Sequence, residues 1–212
     1  MEPRAQFDGD GSLHVVSYCS ELDGVGPGEP GLYHAVRTVR TWHEPAALPD
    51  DEAGEKALAA GGPGGALHVA WVQMCPGYDP TDQSTDFSAC LYHSVYREGA
   101  FSPPAKVYEA YSLGLFPFGL AVDQDGRVLI ALSHSSDPDP PGPVLHDISL
   151  TQSTNGASFS EPCDLTRTAD IDDENAVVQF DAETGEAHLI FASQTRGEDD
   201  DYRFDLIHAR LP

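Results

Sequence analysis

The sequence contains four similar units in succession, and this internal repeat constrains the fold more than any single motif does. A first segment, AQFDGDGSLHVVS at 5–17, returns as ALAAGGPGGALHVAWV at 57–72, FGLAVDQDGRVLIALS at 118–133 and VVQFDAETGEAHLIFAS at 177–193. A second segment, LYHAV at 32–36, returns at 91–95, 144–150 and 206–210. A third, in which an aromatic residue stands three positions before a proline, occurs at 41–48, 100–107 and 156–165.

Three columns of matching residues support this alignment. The second segment places a histidine in each unit, at steps of 59, 53 and 62 residues: His34, His93, His146 and His208. The third segment aligns Trp42, Phe101 and Phe159. Turns rich in Asp and Gly form the last column, at 8–11, 123–126 and 181–185.

Each unit contains short runs of β-type composition separated by Gly, Pro, Asp and Asn, and no stretch has the 3.6-residue period of a helix. Repeats of about 50 residues with four strands each are typical of β-propellers, in which every unit is a four-stranded blade. The sequence therefore predicts one all-β domain, a four-bladed β-propeller with blades at 1–48, 55–108, 117–165 and 175–212. The fourth unit has no counterpart of the third segment, so its blade is predicted to lack the outer strand.

The repeat resembles that of sialidase-like propellers, the bacterial neuraminidase repeat. Residues 153–159 (STNGASF) are similar to the Asp-box of that family, Ser-x-Asp-x-Gly-x-x-Trp, with Asn155 for Asp and Phe159 for Trp. The resemblance implies a propeller fold and, for an active sialidase, an arginine triad, a Tyr/Glu nucleophile pair and an Asp acid. None of the nine arginines stands in the Arg-Ile-Pro context of the family, and an acidic chain repels sialic acid. Sialidase activity is therefore not expected.

Charge and composition restrict the partners and the compartment. The chain has 35 acidic and 11 basic residues, so nucleic acids and anionic membranes are not expected to bind. No basic, apolar leader and no membrane-length apolar run is visible, which favours a cytoplasmic location, although a secreted chain trimmed of its leader would look the same. Cys75 and Cys90 lie across one predicted hairpin; a disulfide is geometrically allowed there, and a cytoplasmic location favours two reduced thiols.

Long loops are predicted on one face of the propeller, called here the upper face, because the loops between second and third strands and between blades emerge on the same side. These loops, at 20–30, 49–54, 76–89, 109–116, 135–143, 166–174 and 194–202, hold 20 of the 35 acidic residues. Two acidic runs flank the fourth blade and suggest a Ca²⁺ site, because Ca²⁺ takes several carboxylate ligands. The candidate ligands are Asp172, Asp173, Glu174, Asp199, Asp200 and Asp201. The alternative is a solvated charged surface.

A functional histidine and an axial pocket are also predicted on the upper face. The aligned histidines, together with His14, His68 and His188, are expected to pack between adjacent blades. His134 fits no column and ends a strand at the upper face, so it is the candidate acid/base, with Asp137 or Asp173 as its partner. The side chains expected to line the pocket are Arg4, Tyr18, Lys56, Gln73, Phe116, Phe118, Asn175 and Gln194.

Three functions remain open from the sequence. The first is a binding module for a carbohydrate or another neutral or cationic small molecule in the acidic upper-face pocket. The second is a hydrolase or lyase with His134 as acid/base. The third is a protein-interaction scaffold; the open edge of the fourth blade predicts a homodimer, since an uncovered edge strand invites pairing.

Overall fold

The computed structural model describes residues 3–8, 10–19, 31–48, 56–76, 88–111, 118–134, 145–167, 171–196 and 202–211. These residues form seventeen β-strands in four sheets and one 3₁₀ turn at Pro63–Gly65. Across these described ranges, no helix has the length and apolar character needed to cross a membrane. The all-β, four-bladed propeller architecture expected from the repeat is confirmed.

The first two blades each contain five strands. Blade one consists of β1 (Arg4–Phe7), β2 (Leu13–Cys19), β3 (Gly31–Thr38), β4 (Thr41–Trp42) and β5 (Ala46–Ala47). Blade two consists of β6 (Lys56–Gly61), β7 (Leu67–Met74), β8 (Ser88–Arg97), β9 (Ala100–Phe101) and β10 (Ala105–Tyr111).

The last two blades are smaller. Blade three consists of β11 (Gly119–Val122), β12 (Val128–His134), β13 (Asp147–Ser153) and β14 (Cys163–Asp164). Blade four consists of β15 (Ile171–Phe180), β16 (Ala187–Arg196) and β17 (Tyr202–Leu211), a three-stranded antiparallel sheet without an outer strand among the described residues.

Two predicted strand boundaries are corrected by the structure. The outer strands predicted at 41–48 and 100–108 are each split into two pieces that pair with the same third strand. Pro45 and the Pro103–Pro104 pair lie in the breaks, where the missing N–H groups interrupt the ladder. The first strand of blade four begins at Ile171 rather than at 175, so the acidic run 171–174 belongs to a strand and not to a loop.

The predicted histidine column is wrong in blade three. His34 pairs with Val16, His93 with Ala70 and His208 with Ile190. The residue in the equivalent position of blade three, opposite Ala131, is Leu150 and not His146. The corrected column has steps of 59, 57 and 58 residues, and His146 precedes β13 as a residue outside the repeat.

Three hydrophobic clusters hold the blades together, one at each seam between consecutive blades. Val16 and Trp71 belong to the seam of blades one and two. Ala70 and Ile130 belong to the seam of blades two and three, while Ala131 and Leu189 belong to that of blades three and four. Each blade thus has a forward face, turned to the next blade, and a rear face, turned to the preceding one, because alternate residues of a strand point to opposite faces.

Aspartates organise the turns between the first and second strands, as the third repeat column predicts. One oxygen of Asp8 accepts the backbone N–H groups of Asp10 and Ser12, and the other lies 2.9 Å from Nε2 of His14. Asp123 repeats the arrangement, with its second oxygen 3.0 Å from Nε of Arg127. These turns fix the register at which each inner hairpin begins.

A disulfide joins Cys75 and Cys90. The preference for two reduced thiols at this position is therefore corrected. The bridge links the end of β7 to β8, so it closes the hairpin of blade two at its upper end.

The two ends of the row of blades do not join through described residues. Strands of blade three pack on β15, but the strands of blade four make no extended contact with those of blade one. The forward face of blade four and the rear face of blade one are consequently open.

Candidate functional site

The acidic run at the start of β15 meets blade three at the upper face. Asp172 and Glu174 approach His146, which lies just before β13. The backbone N–H of Asp173 donates to the carbonyl oxygen of His146, at 2.9 Å, and Ser133 Oγ donates to the carbonyl oxygen of Asp173 at the same distance. Rigid strands on both sides of the seam therefore position the group.

Asp172 holds His146 in place. One carboxylate oxygen of Asp172 lies 2.9 Å from both the backbone nitrogen and Nδ1 of His146, so it accepts two hydrogen bonds. Glu174 Oε1 lies 3.7 Å from the same Nδ1. His146 is buried, while the carboxylates of Asp172 and Glu174 keep 18% and 25% of their side-chain surface exposed. The carboxylates are thus the part of this group that a ligand can reach.

Burial raises the pKa of the Glu174 carboxyl, and the negative charge of Asp172 raises it further, against the opposing effect of His146. A carboxyl whose pKa is raised beside a second carboxylate can carry a proton and donate it in a hydrogen bond. The group therefore presents an acceptor at Asp172 and a switchable donor or acceptor at Glu174, which suits the hydroxyl groups of a neutral ligand.

As a metal site, the group offers one imidazole nitrogen and two carboxylates whose ligand atoms lie within 4.8 Å of one another. Ca²⁺ requires six to eight oxygen ligands, more than these residues provide. Asp173, the third predicted ligand on this strand, is buried with 2% of its surface exposed. Asp199, Asp200 and Asp201 lie outside the described residues, so the Ca²⁺ site remains a prediction.

His134 lies at the upper end of β12, where the sequence places it, but it is buried at 5% exposure. Its Nε2 is 2.7 Å from Ser149 Oγ, and Ser149 donates to Asp164 at 2.6 Å. Since the hydroxyl proton goes to Asp164, Ser149 accepts the proton of His134 Nε2. The hydrogen bond from Ser149 and the pairing with Arg167 lower the pKa of the Asp164 carboxyl.

This His–Ser–Asp row is not arranged as a nucleophilic triad. A nucleophilic serine must donate its proton to histidine and be open to substrate. Ser149 has no exposed surface and donates to the carboxylate instead. Asp137, a predicted partner of His134, lies outside the described residues, and Asp173 contacts Ser133 through its backbone.

The residues predicted to line an axial pocket do not form one wall. Phe118 is buried in the core between blades two and three, and Gln73 is buried, accepting a hydrogen bond from the indole of Trp71. Asn175 is exposed in the interior of β15, at a register shift, with a φ of 58°. Arg4, Tyr18, Lys56 and Gln194 lie on strands of blades one, two and four, although the Lys56 side chain is not described, and Phe116 lies outside the described residues.

A cavity of about 380 Å³ lies on the opposite, lower face, where the sequence predicts no ligand. It is lined by the hairpin turns that follow the third strands of blades two and three, including Arg97, Phe101, Ser102 and Asn155. Asn155 belongs to the Asp-box-like segment, and its Oδ1 accepts the backbone N–H groups of Ala157 and Ser158. The amide is thus used to build the turn.

Comparison with known proteins supports the architecture. No protein-family model and no curated protein sequence matches the chain. Among solved structures, an α-L-arabinanase of Penicillium chrysogenum, complexed with arabinobiose, matches all of this chain and 62% of its own length, with a TM-score of 0.70 at 14% identity. An α-L-arabinofuranosidase of Fusarium graminearum, also with arabinobiose, matches 98% of this chain and 61% of its own, with a TM-score of 0.66 at 14% identity. A Hadza microbial sialidase matches 98% of this chain and 43% of its own, with a TM-score of 0.59 at 14% identity.

These similarities show the fold. The four blades span less than two thirds of the length of each of these three enzymes. Carbohydrate-active propellers are thus the structural relatives of the chain, and sialidases are among them.

Proposed function

We propose that this chain is a carbohydrate-binding propeller that binds a neutral glycan at its upper face through Asp172 and Glu174. The observation that carries the proposal is the pair of partly exposed carboxylates, fixed by His146, beside each other at the seam of blades three and four. Carboxylates are strong acceptors for hydroxyl protons, and a protonated Glu174 adds a donor.

The charge of the protein narrows the class of sugar. A net charge of −24 disfavours sialic acid and other anionic sugars and leaves neutral or cationic ligands. The structural relatives crystallised with arabinobiose suggest that pentose disaccharides are suitable first probes.

The spacing of the two carboxyl groups favours binding over hydrolysis. Glycosidases hold two carboxyl groups about 5–9.5 Å apart, on either side of the bond that is cleaved. Asp172 and Glu174 instead interact through a side-chain hydrogen bond, so no sugar can lie between them. A binding role needs no such gap.

The experiment is isothermal titration calorimetry with arabinobiose and, as the anionic comparison, sialyllactose. Asp172→Asn and Glu174→Gln should each weaken arabinobiose binding by about tenfold or more, as expected for loss of a charge-assisted hydrogen bond. Asp125→Asn and Glu183→Gln remove the same charges from exposed turns on the lower face and should leave the affinity unchanged.

Two results would contradict the proposal: no binding of arabinobiose or other neutral oligosaccharides, or equal losses in the site and control variants. Each titration is repeated after EDTA treatment and with added Ca²⁺, which tests whether a metal assists the carboxylates. Chromatography of the titrated sample for free arabinose tests the hydrolase alternative, since cleavage would replace the binding role by an enzymatic one.

A further inference from the structure

The forward faces of three blades carry the same pair of stacked histidines, and one of the three pairs is uncovered. The pair in blade one is His14 and His34, and that in blade two is His68 and His93; all four rings are at most 2% exposed. The corresponding pair in blade four is His188 and His208, with their rings stacked and Nδ1 and Nε2 3.0 Å apart. There His208 is exposed and His188 is half-buried.

An aromatic residue from the next blade covers each buried pair. Phe101 of blade two meets His34 edge-on, with ring centroids 5.3 Å apart. Phe159 of blade three meets His93 in the same way, at 5.2 Å. Edge-to-face contacts of this kind stabilise beyond the area that they bury.

The covering residue and the histidine pair occur together along the repeat. Blade three has Leu129 and Leu150 at the histidine positions, and the blade that follows it has no outer strand among the described residues and no aromatic partner there. The repeat therefore pairs a histidine face with an aromatic face, and a leucine face with a blade that lacks the aromatic residue.

One histidine face and one aromatic face are left over. Trp42 of blade one occupies the position of Phe101 and Phe159, and it lies opposite Arg37 on the rear face, with 54% of its surface exposed. The forward face of blade four surrounds its histidine pair with exposed apolar side chains: Val177, Ile190, Phe204 and Leu206, which are 40–76% exposed. Terminal units of repeat proteins normally carry polar outer faces, and exposed apolar patches mark interaction sites.

We propose that the rear face of blade one, with Trp42, packs on the forward face of blade four in a second copy of this chain. The contact continues the established seams: Trp42 takes the place of Phe101 or Phe159, and His208 takes the place of His34 or His93. The two surfaces differ, so the association is head-to-tail, with a different patch used on each copy. This contact uses the sheet face rather than the open edge of β17.

The test is sedimentation velocity over a wide range of protein concentration, at moderate and at high salt. The wild-type chain should form species larger than the 22.7 kDa of one copy. Association should strengthen with salt, because salt screens the repulsion between two highly acidic copies. Leu206→Glu and Trp42→Glu should each weaken association by about tenfold or more, while Leu165→Glu, at an exposed leucine of blade three, should not.

Mixing the two interface variants separates head-to-tail packing from other modes. Leu206→Glu keeps the rear face of blade one, and Trp42→Glu keeps the forward face of blade four. A mixture should therefore form dimers, and no larger species, although neither variant associates alone. Circular dichroism confirms that both variants are folded.

A wild-type chain that stays monomeric at every concentration and salt overturns the proposal. So does association that Trp42→Glu leaves intact, which would indicate that two copies of blade four face each other or pair through the edge of β17. Glycan binding by the upper face is measured independently, so either proposal can fail alone.

Discussion

His93 donates its Nδ1 proton to the backbone carbonyl oxygen of Gly156, 2.8 Å away across the seam between blades two and three. A carbonyl only accepts, so a neutral His93 must accept at Nε2, and His68 donates to it from Nδ1 at 3.1 Å. The turn of blade three that holds Gly156 therefore sets the direction of the hydrogen bond inside blade two.

The close approach at Gly156 predicts that a side chain there is costly. Gly156 has a φ of 69°, and an added Cβ would lie 3.0 Å from Val95 Cγ2 and 3.2 Å from His93 Cε1. We expect Gly156→Ala to lower the free energy of unfolding by about 2–4 kcal/mol, from backbone strain and crowding together. The measurement is urea denaturation.

Gly185→Ala is the matched control for that substitution. Gly185 has a φ of 71°, but nothing lies within 4 Å of an added Cβ. Its replacement should therefore cost only the backbone strain, about 1 kcal/mol. Equal losses in the two variants would show that the contact with His93 and Val95 tolerates a side chain.

The buried histidines predict that stability falls on acidification. Burial lowers the pKa of His34 to about 4, that of His68 to about 3 and that of His93 to about 4. The unfolded chain binds protons near pH 6.5 and the folded chain does not, so the contribution is complete above pH 6.5 and is lost as the pH falls toward 4. We expect a loss of several kcal/mol in this window, measured as the urea midpoint against pH; a flat profile would contradict it.

Replacing a buried histidine pair by leucines should remove part of this pH dependence. Blade three already has Leu129 and Leu150 at these positions, so the sheet accepts the apolar pair. We expect the double variant His68→Leu/His93→Leu to lose stability at pH 8, because Gly156 loses a hydrogen bond, by about 1–2 kcal/mol. Its stability should fall less steeply between pH 6.5 and 4.

The more exposed pair provides the control for the leucine variant. His188→Leu/His208→Leu changes the same two positions in blade four, where burial is incomplete. Measured at low protein concentration, it should leave the slope of stability against pH close to that of the wild-type chain. A similar change of slope in both double variants would mean that burial is not the cause.

The fold could be predicted because the repeat reports on the blades themselves. Turn aspartates, aromatic–proline segments and apolar strands recur wherever a blade must be built, and Trp71 was expected in the core, where it is fully buried. The error at His146 arose from residue identity outweighing spacing: the steps of 53 and 62 residues were irregular, whereas Leu150 restores steps of 57 and 58.

The candidate site could be predicted only in part, because it depends on contacts between blades. Asp172 and Glu174 were noticed as acidic residues, but their partner His146 is 26 residues away from Asp172 and was assigned to packing. His134 was placed at the correct end of its strand, yet nothing local to it indicates that Ser149 and Asp164 would bury and bind it.

The disulfide between Cys75 and Cys90 predicts a large effect of removing it. The bridge closes a hairpin with a sequence separation of 15, and a loop of this size restricts the unfolded chain by about 3 kcal/mol. We expect Cys75→Ser/Cys90→Ser to lower the free energy of unfolding by that amount. Reductant should destabilise the wild-type chain and leave the double variant unchanged; a response of both chains to reductant would contradict the bridge.

Asp172 and Glu174 should differ in their effect on stability although both are acidic and adjacent in the site. Asp172→Ala removes the acceptor of two hydrogen bonds from His146, one of them from the backbone, and should cost about 1–3 kcal/mol. The raised pKa of Glu174 means that the folded chain binds this proton more tightly than the unfolded chain, so the ionised carboxylate opposes folding as the pH rises. Glu174→Ala should therefore leave stability unchanged or increase it at pH 8. Thermal unfolding at pH 8 checks both variants, and a loss on Glu174→Ala as large as that on Asp172→Ala would indicate that Glu174 stabilises the seam instead of burdening it.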